Sequence, residues 1–156
     1  EIFLPEMMAA ADAMKEGVEL LQPHLASGSS EGKRGTILMG TVEGDIHDIG
    51  KNIVKIMLEG VGFKVADLGF NVPTLSFVER VKETSPELVG MSALMTSTMV
   101  HMPRVIRFLK EQGLREKVKV IVGGAPVLPN GAAEIGADGY GDNAAEAIKL
   151  AKEMIG

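Results

Sequence analysis

From Thr36 onward, short runs of β-branched and apolar residues alternate with stretches whose apolar positions recur every three or four residues. The runs predict strands at Thr36–Val42, Lys64–Leu68, Leu88–Ser92 and Lys119–Val122, with a brief one at Gly139–Tyr140. The helical spacing predicts helices at Ile49–Leu58, Thr74–Thr84, Met99–Gln112, Gly131–Ile135 and Ala144–Ile155. Strands alternating with helices in this way imply an α/β fold: a Rossmann-like (flavodoxin-like), doubly wound five-stranded parallel sheet with helices on both faces. Ligands of such sheets sit at the carboxyl ends of the strands, near the point where strand order reverses. The loops that follow the strands are therefore the place to look for chemistry.

The segment before Thr36 has a different pattern. Met7, Met8, Ala11, Met14, Val18 and Leu21 recur at helical spacing, with Glu6, Asp12, Lys15, Glu16 and Glu19 on the other side. A lone helix of this length is marginal in water, so its apolar stripe predicts a cover: further helices, a ligand or a partner. The small, polar, glycine-rich stretch Ala26–Gly35 predicts a flexible linker. The chain is thus expected to divide into a helical segment at 1–26, a linker at 27–35 and the α/β domain at 36–156. A first residue of Glu1 in place of Met suggests a trimmed piece of something longer, whereas an end at Gly156, just after the last helix, suits a small stand-alone protein.

Composition narrows the function. With 156 residues, 46% hydrophobic and 24% charged, the chain has room for one α/β core and no second full domain. Sixteen Lys and Arg lie scattered among twenty-one Asp and Glu, for a net charge of −5, which leaves no basic stripe for nucleic acid. The absence of cysteine removes disulfides, thiolate metal sites and cysteine nucleophiles, and fits a cytoplasmic protein. Apolar runs end well short of the roughly 20 residues of a spanning helix, and nothing resembles a signal peptide, so no membrane association is expected.

The candidate chemistry lies in Gly44-Asp45-Ile46-His47-Asp48-Ile49-Gly50-Lys51-Asn52, the loop between the first strand and its helix. Neither a dinucleotide-binding Gly-x-Gly-x-x-Gly nor a phosphate-binding P-loop is present there. His47 could ligate a metal through one ring nitrogen while Asp45, two residues earlier, accepts a hydrogen bond from the other. Read alone, Asp48 is equally a helix cap and His47 a solvated loop residue. A single ligand cannot hold a bare ion, because a closed zinc site takes four. If His47 binds metal, the cofactor brings the other ligands, as a haem or a corrinoid does. Ser92, Gly123, Gly124 and Ala125 are small enough to admit a bulky nucleotide tail at the neighbouring strand ends. Each also has a plainer reading: Gly123-Gly124 as a turn, Ser92 as a hydroxyl bonded to local backbone, and Thr96 and Thr98 as helix caps. His24 and His101 have no acidic neighbour at useful spacing and are expected at the surface or at helix ends. The ten methionines are expected to be packing groups.

Taken together, Phe3-Leu4-Pro5-Glu6-Met7-Met8, the Gly44–Asn52 loop, Ser92-Ala93-Leu94-Met95-Thr96-Ser97-Thr98 and Gly123-Gly124-Ala125 resemble the cobalamin-binding modules of corrinoid-dependent methyltransferases. That family includes methionine synthase and the small corrinoid proteins of microbial methyl-transfer systems, and the resemblance runs from Phe3 to about Ile155. It implies a cobalamin or related corrinoid bound base-off and His-on, with His47 as the lower cobalt ligand, Asp45 as its hydrogen-bonding carboxylate and Thr98 extending the relay where a serine is more usual. It assigns Asp48, Ile49 and Gly50 to the lower face and the tail, and counts Gly44 of the same loop among the cofactor-binding residues. Ser92, Leu94 and Thr96 fall around the benzimidazole pocket, and Gly123, Gly124 and Ala125 beside the ribose and phosphate. Gly141 falls in the last ligand-edge loop, where Gly139–Asn143 departs somewhat from the family's small and acidic residues. Leu4 matches a cap residue over the upper face, although the chain carries only the last helix of the family's helical cap bundle.

The function so implied is a methyl carrier that works between two proteins and is not catalytic alone. One partner is a substrate-specific methyltransferase and the other an acceptor methyltransferase using tetrahydrofolate or a thiol; a reductive activase is a third candidate. Alternatives are the B12-binding subunit of an adenosylcobalamin-dependent mutase and a cobalamin-binding sensor. The Leu4–Met8 helix argues against the first, and the lack of a DNA-binding or signalling segment against the second. A flavodoxin-like domain for some other ligand leaves the combined loops unexplained.

Overall fold

The computed structural model describes residues 4–26 and 34–156; most of the expected linker at 27–35 lies outside them. Helix α1 (Leu4–Ala26) comes first, and β1 (Thr36–Thr41), α2 (Ile49–Gly60), β2 (Lys64–Asp67), α3 (Thr74–Thr84) and β3 (Leu88–Ser92) follow. The second half adds α4 (His101–Glu111), a 3-10 turn at Arg115–Lys117, β4 (Lys119–Gly123), α5 (Pro129–Ile135), β5 (Gly139–Gly141) and α6 (Ala144–Ile155). The five strands form one parallel sheet in the order β2-β1-β3-β4-β5. Strand order reverses between β1 and β3, so the β1–α2 and β3–α4 loops flank the switch point.

Alternation along β1 shows why its sequence is apolar at every step. Leu38 faces a core shared with Phe77 and Val81 of α3 and Val105 and Leu109 of α4, while Ile37 and Met39 face a second core with Leu58 of α2 and Ala147 and Ala151 of α6. A strand covered on both faces needs a continuous apolar run, and all seven of these α3, α4 and β1 side chains are buried.

Several helix boundaries differ from the sequence reading: α2 runs on to Gly60 and α5 begins at Pro129. Helix α4 begins at His101, not Met99, because residues 95–100 form turns in which the Thr98 side chain is committed elsewhere. Helix α1 runs on to Ala26, through Pro23. Two residues of its expected apolar stripe, Met14 and Leu21, are 50% and 57% exposed, although α1 does touch α2. No helix among the described residues is long and apolar enough to cross a membrane.

Candidate functional site

Asp45 is the centre of the switch-point loops. It is 0% exposed, and its two oxygens face five donors. Oδ1 accepts from the His47 amide (3.0 Å) and lies 2.7 Å from His47 Nδ1. Oδ2 accepts from the Leu94 amide (2.7 Å), the Met95 amide (3.2 Å) and the Thr98 hydroxyl (2.7 Å). Burial disfavours the charged carboxylate, but the hydrogen bonds from Thr98, Leu94 and His47 outweigh it and hold Asp45 far below the usual range. An ionised carboxylate only accepts, so the proton between the two side chains sits on His47 Nδ1. The other ring nitrogen, Nε2, then carries the lone pair, and among the described residues it has no hydrogen-bond partner. The His47 side chain is 46% exposed, which leaves that nitrogen approachable.

Backbone contacts hold the loop in this shape. Gly44 adopts φ +80, a conformation that favours glycine, and its amide donates to Asn71 Oδ1 at 2.8 Å. The Asn71 amide returns a bond to the Asp45 carbonyl (2.8 Å), and the Thr41 hydroxyl reaches the His47 carbonyl (3.1 Å). Three strand-end loops, those after β1, β2 and β3, are thereby tied to one another around a single imidazole.

Beside this cluster a cavity of about 280 Å³ opens between α2 and α6, over β1, β3 and β4. Gly50, Ser92, Gly123, Gly124 and Gly141 line it, so the expected tail residues divide cleanly. Asp45, His47, Leu94 and Thr98 belong to the carboxylate cluster with Gly44, whereas Asp48 and Ile49 link the cluster to α2. Thr96 and Ala125 are exposed and belong to neither group. Leu4 opens α1, and its side chain, with the expected place over an upper face, lies outside the described residues.

Some plainer readings give way on geometry. Thr98 caps no helix; its hydroxyl is buried against Asp45 and lies 2.9 Å from the Met95 carbonyl. Gly123-Gly124 is more than a loose turn: a Cβ on Gly123 would stand 2.9 Å from the Gly141 carbonyl, and one on Gly124 would collide with the Ala93 carbonyl. His101 does have an acidic neighbour, since its Nδ1 lies 3.6 Å from Glu43 Oε2, a partner supplied by another loop.

The cavity also contains residues that motif reading overlooked: Met39 and Gly90 of the strands, Ile53 and Val54 of α2, and Asn143 and Ala144 at the start of α6. Gly90 carried a signal, because a glycine inside an apolar strand marks a close approach or a gap. The apolar faces of α2 and α6 were visible as periodicity, but nothing local says that the two faces stand apart.

Fold and loops together define a Rossmann-like binding domain with its ligand edge at the β1/β3 switch point. Residues 35–149 match the B12 binding domain, and the chain belongs to that family, whose ligand is a cobalamin or related corrinoid. It is 52% identical over 155 residues to dimethylamine corrinoid protein 1 of Methanosarcina acetivorans, covering 99% of this chain and 73% of that protein. Among solved structures, the monomethylamine corrinoid protein of Methanosarcina barkeri superposes with a TM-score of 0.90 at 42% identity, over 98% of this chain and 72% of that one. The methanol:cobalamin methyltransferase complex of the same organism contains a chain matched at a TM-score of 0.74 and 39% identity, over 99% of this chain and 58% of that one.

The residues present fit such a group. Among the described residues no three His, Asp or Glu side chains converge to hold a bare metal ion, so His47 suits a metal that arrives with its own ligands. A Cβ on Gly50 would meet nothing within 4 Å, which leaves open the space a flat heterocycle needs along α2.

Proposed function

We propose that this chain is a methyl-carrying corrinoid protein serving a methylamine-specific methyltransferase and an acceptor methyltransferase that uses tetrahydrofolate or a thiol, with a reductive activase as a third partner. The names of its relatives support the methylamine class. In this reading the corrinoid binds base-off, with His47 Nε2 as its lower ligand and its nucleotide tail in the cavity between α2 and α6. Once bound, it supplies a cobalt that accepts a methyl group from one substrate and yields it to another. Asp45 holds the proton on His47 Nδ1, aims the ring outward and keeps Nε2 free to donate its lone pair. Thr98 fills the remaining lone-pair site of Asp45 Oδ2, so any proton change at His47 is felt along a short, buried chain. Gly50, Ser92, Gly123, Gly124 and Gly141 give the tail clearance. Helix α1 is the last helix of a cap, the α/β domain from residue 36 is the carrier, and residues 27–35 join them in a cytoplasmic protein. Catalysis of each transfer belongs to the partner enzymes.

The observation that carries this reading is the setting of His47: Nδ1 lies 2.7 Å from the buried Asp45 carboxylate, and Nε2 has no hydrogen-bond partner among the described residues. The test is to mix the protein with hydroxocobalamin, remove free cofactor, and record visible spectra and EPR of the reduced cobalt, with and without ¹⁵N-histidine. Retention of the cofactor with a nitrogen splitting that changes on labelling, and that is lost in His47→Ala, is the expected result. A splitting insensitive to histidine labelling would overturn the ligand assignment.

A further inference from the structure

Lys51 is the third residue of α2 and the only buried side chain among residues 49–55 of that helix. Its side chain is 1% exposed, with Nζ 2.7 and 2.8 Å from the two Asp67 oxygens and 2.7 Å from Asn52 Oδ1. Three N–H donors therefore meet three acceptors, and the ammonium has nothing left for an anion entering the cavity that Lys51 also lines. Its partners extend the network in both directions. Asp67 Oδ1 also accepts from the Gly69 amide (2.9 Å), and Asn52 Nδ2 donates to Asp48 Oδ2 (3.1 Å), one residue from His47.

The rest of this stretch is poorly equipped to stay helical. Asp48 makes no side-chain cap bond, Gly50 weakens the first turn, and the buried apolar residues of α2, Ile56 and Leu58, begin only in its second half. A first turn is the costly part of a helix, and this one has an open cavity on one side.

We infer that the ion pair between buried Lys51 and the partly accessible Asp67 is a latch that holds the first turns of α2 against β2 before any cofactor arrives, so that one wall of the tail cavity is preformed. Lys51 is thus a positioning residue for cofactor uptake. The inference rests on the corrinoid reading only for what enters the cavity; the latch itself is a property of the free protein. Pre-ordering of this kind raises the association rate because the bound conformation is already populated, and it leaves the bound state unchanged.

Two variants separate the latch from direct contact with a ligand. Lys51→Met removes the ammonium but keeps the stem, whereas Asp67→Asn weakens the pair from a residue that does not line the cavity. Hydrogen exchange of the free protein is expected to show amides 52–55 exchanging at least about tenfold faster in both variants, with β1 and β3 amides unchanged. Hydroxocobalamin should associate more slowly by a comparable factor, dissociate at an unchanged rate and give an unchanged bound spectrum. If Lys51→Met fails to fold, Asp67→Asn carries the test alone. Unchanged protection of amides 52–55 in Asp67→Asn, or no protection of them in the parent protein, would overturn the latch. Failure of the parent protein to retain hydroxocobalamin would instead count against the corrinoid reading, and the exchange data would still decide the latch.

Discussion

The carboxylate cluster and the cavity lie side by side at the edge of one sheet, yet they are built by opposite means. Around Asp45, five directed hydrogen bonds converge on a side chain with no exposure, and their combined effect is to fix one atom, His47 Nε2. Between α2 and α6 direction counts for less: glycines, alanines and aliphatic side chains make up most of the lining, with Lys51, Ser92, Asp142 and Asn143 among them. Coordination of a metal demands orientation, which hydrogen bonds supply. Admission of a bulky flat group demands clearance, which comes from leaving side chains out. Substitutions at the first region should therefore act mainly on the stability and tautomer of the free protein, and those at the second mainly on binding.

The largest effect is expected at Asp45. Asp45→Ala takes the acceptor from the Leu94 and Met95 amides and leaves the Thr98 hydroxyl only the Met95 carbonyl, and losing several bonds to a buried charged group costs about 3 kcal/mol or more. Urea denaturation of the free protein measures it, and a loss under about 1 kcal/mol would mean that water replaces the carboxylate easily. The pH dependence has a definite sign. Folding lowers the Asp45 pKa below its ordinary 3.8, so its stabilising contribution is complete above that value and fades as pH falls below it. The parent protein should lose stability through this window and Asp45→Asn should lose less. Equal slopes would separate the acid response from Asp45.

A smaller effect is expected at Thr98, where the hydroxyl matters and the methyl does not contribute to the relay. Thr98→Ser keeps the bond to Asp45 Oδ2, while Thr98→Ala removes it from a buried acceptor and should cost about 1–2 kcal/mol. Parallel denaturation of the two variants checks this, and equal losses would shift the role from the hydroxyl to packing.

The same contrast explains what the sequence made legible. Strands β1, β3 and β4 were readable because burial on both faces forces unbroken apolar runs, and α3 and α6 because their periodicity matches their full length. The imidazole–carboxylate pairing was readable because Asp45 and His47 are two residues apart in one loop. The bond from Thr98 to Asp45 spans 53 residues, and it holds residues 95–100 out of helix α4 in a way no local pattern foretells. Glu43 and His101 meet for a similar reason, through the switch point alone. Least legible was the cavity, since a gap between two helices is a relation between elements and leaves only glycines such as Gly50 and Gly90 as traces.

Gly50 provides the sharpest test of the division between the two regions, although its effect is the smallest. It lies in the first turn of α2, has ordinary negative-φ backbone and lines the cavity, with nothing within 4 Å of the position a Cβ would take. In the free protein Gly50→Ala therefore meets no clash and restricts the unfolded chain, which should stabilise by about 0.5 kcal/mol. The same methyl occupies space that the cofactor tail needs, so retention of hydroxocobalamin should fall while the free protein becomes more stable. No substitution at Asp45 or Thr98 should produce that opposition, because both side chains are buried and hydrogen-bonded. A Gly50→Ala variant that gains stability and binds as tightly as the parent would show that the tail does not run along this face of α2.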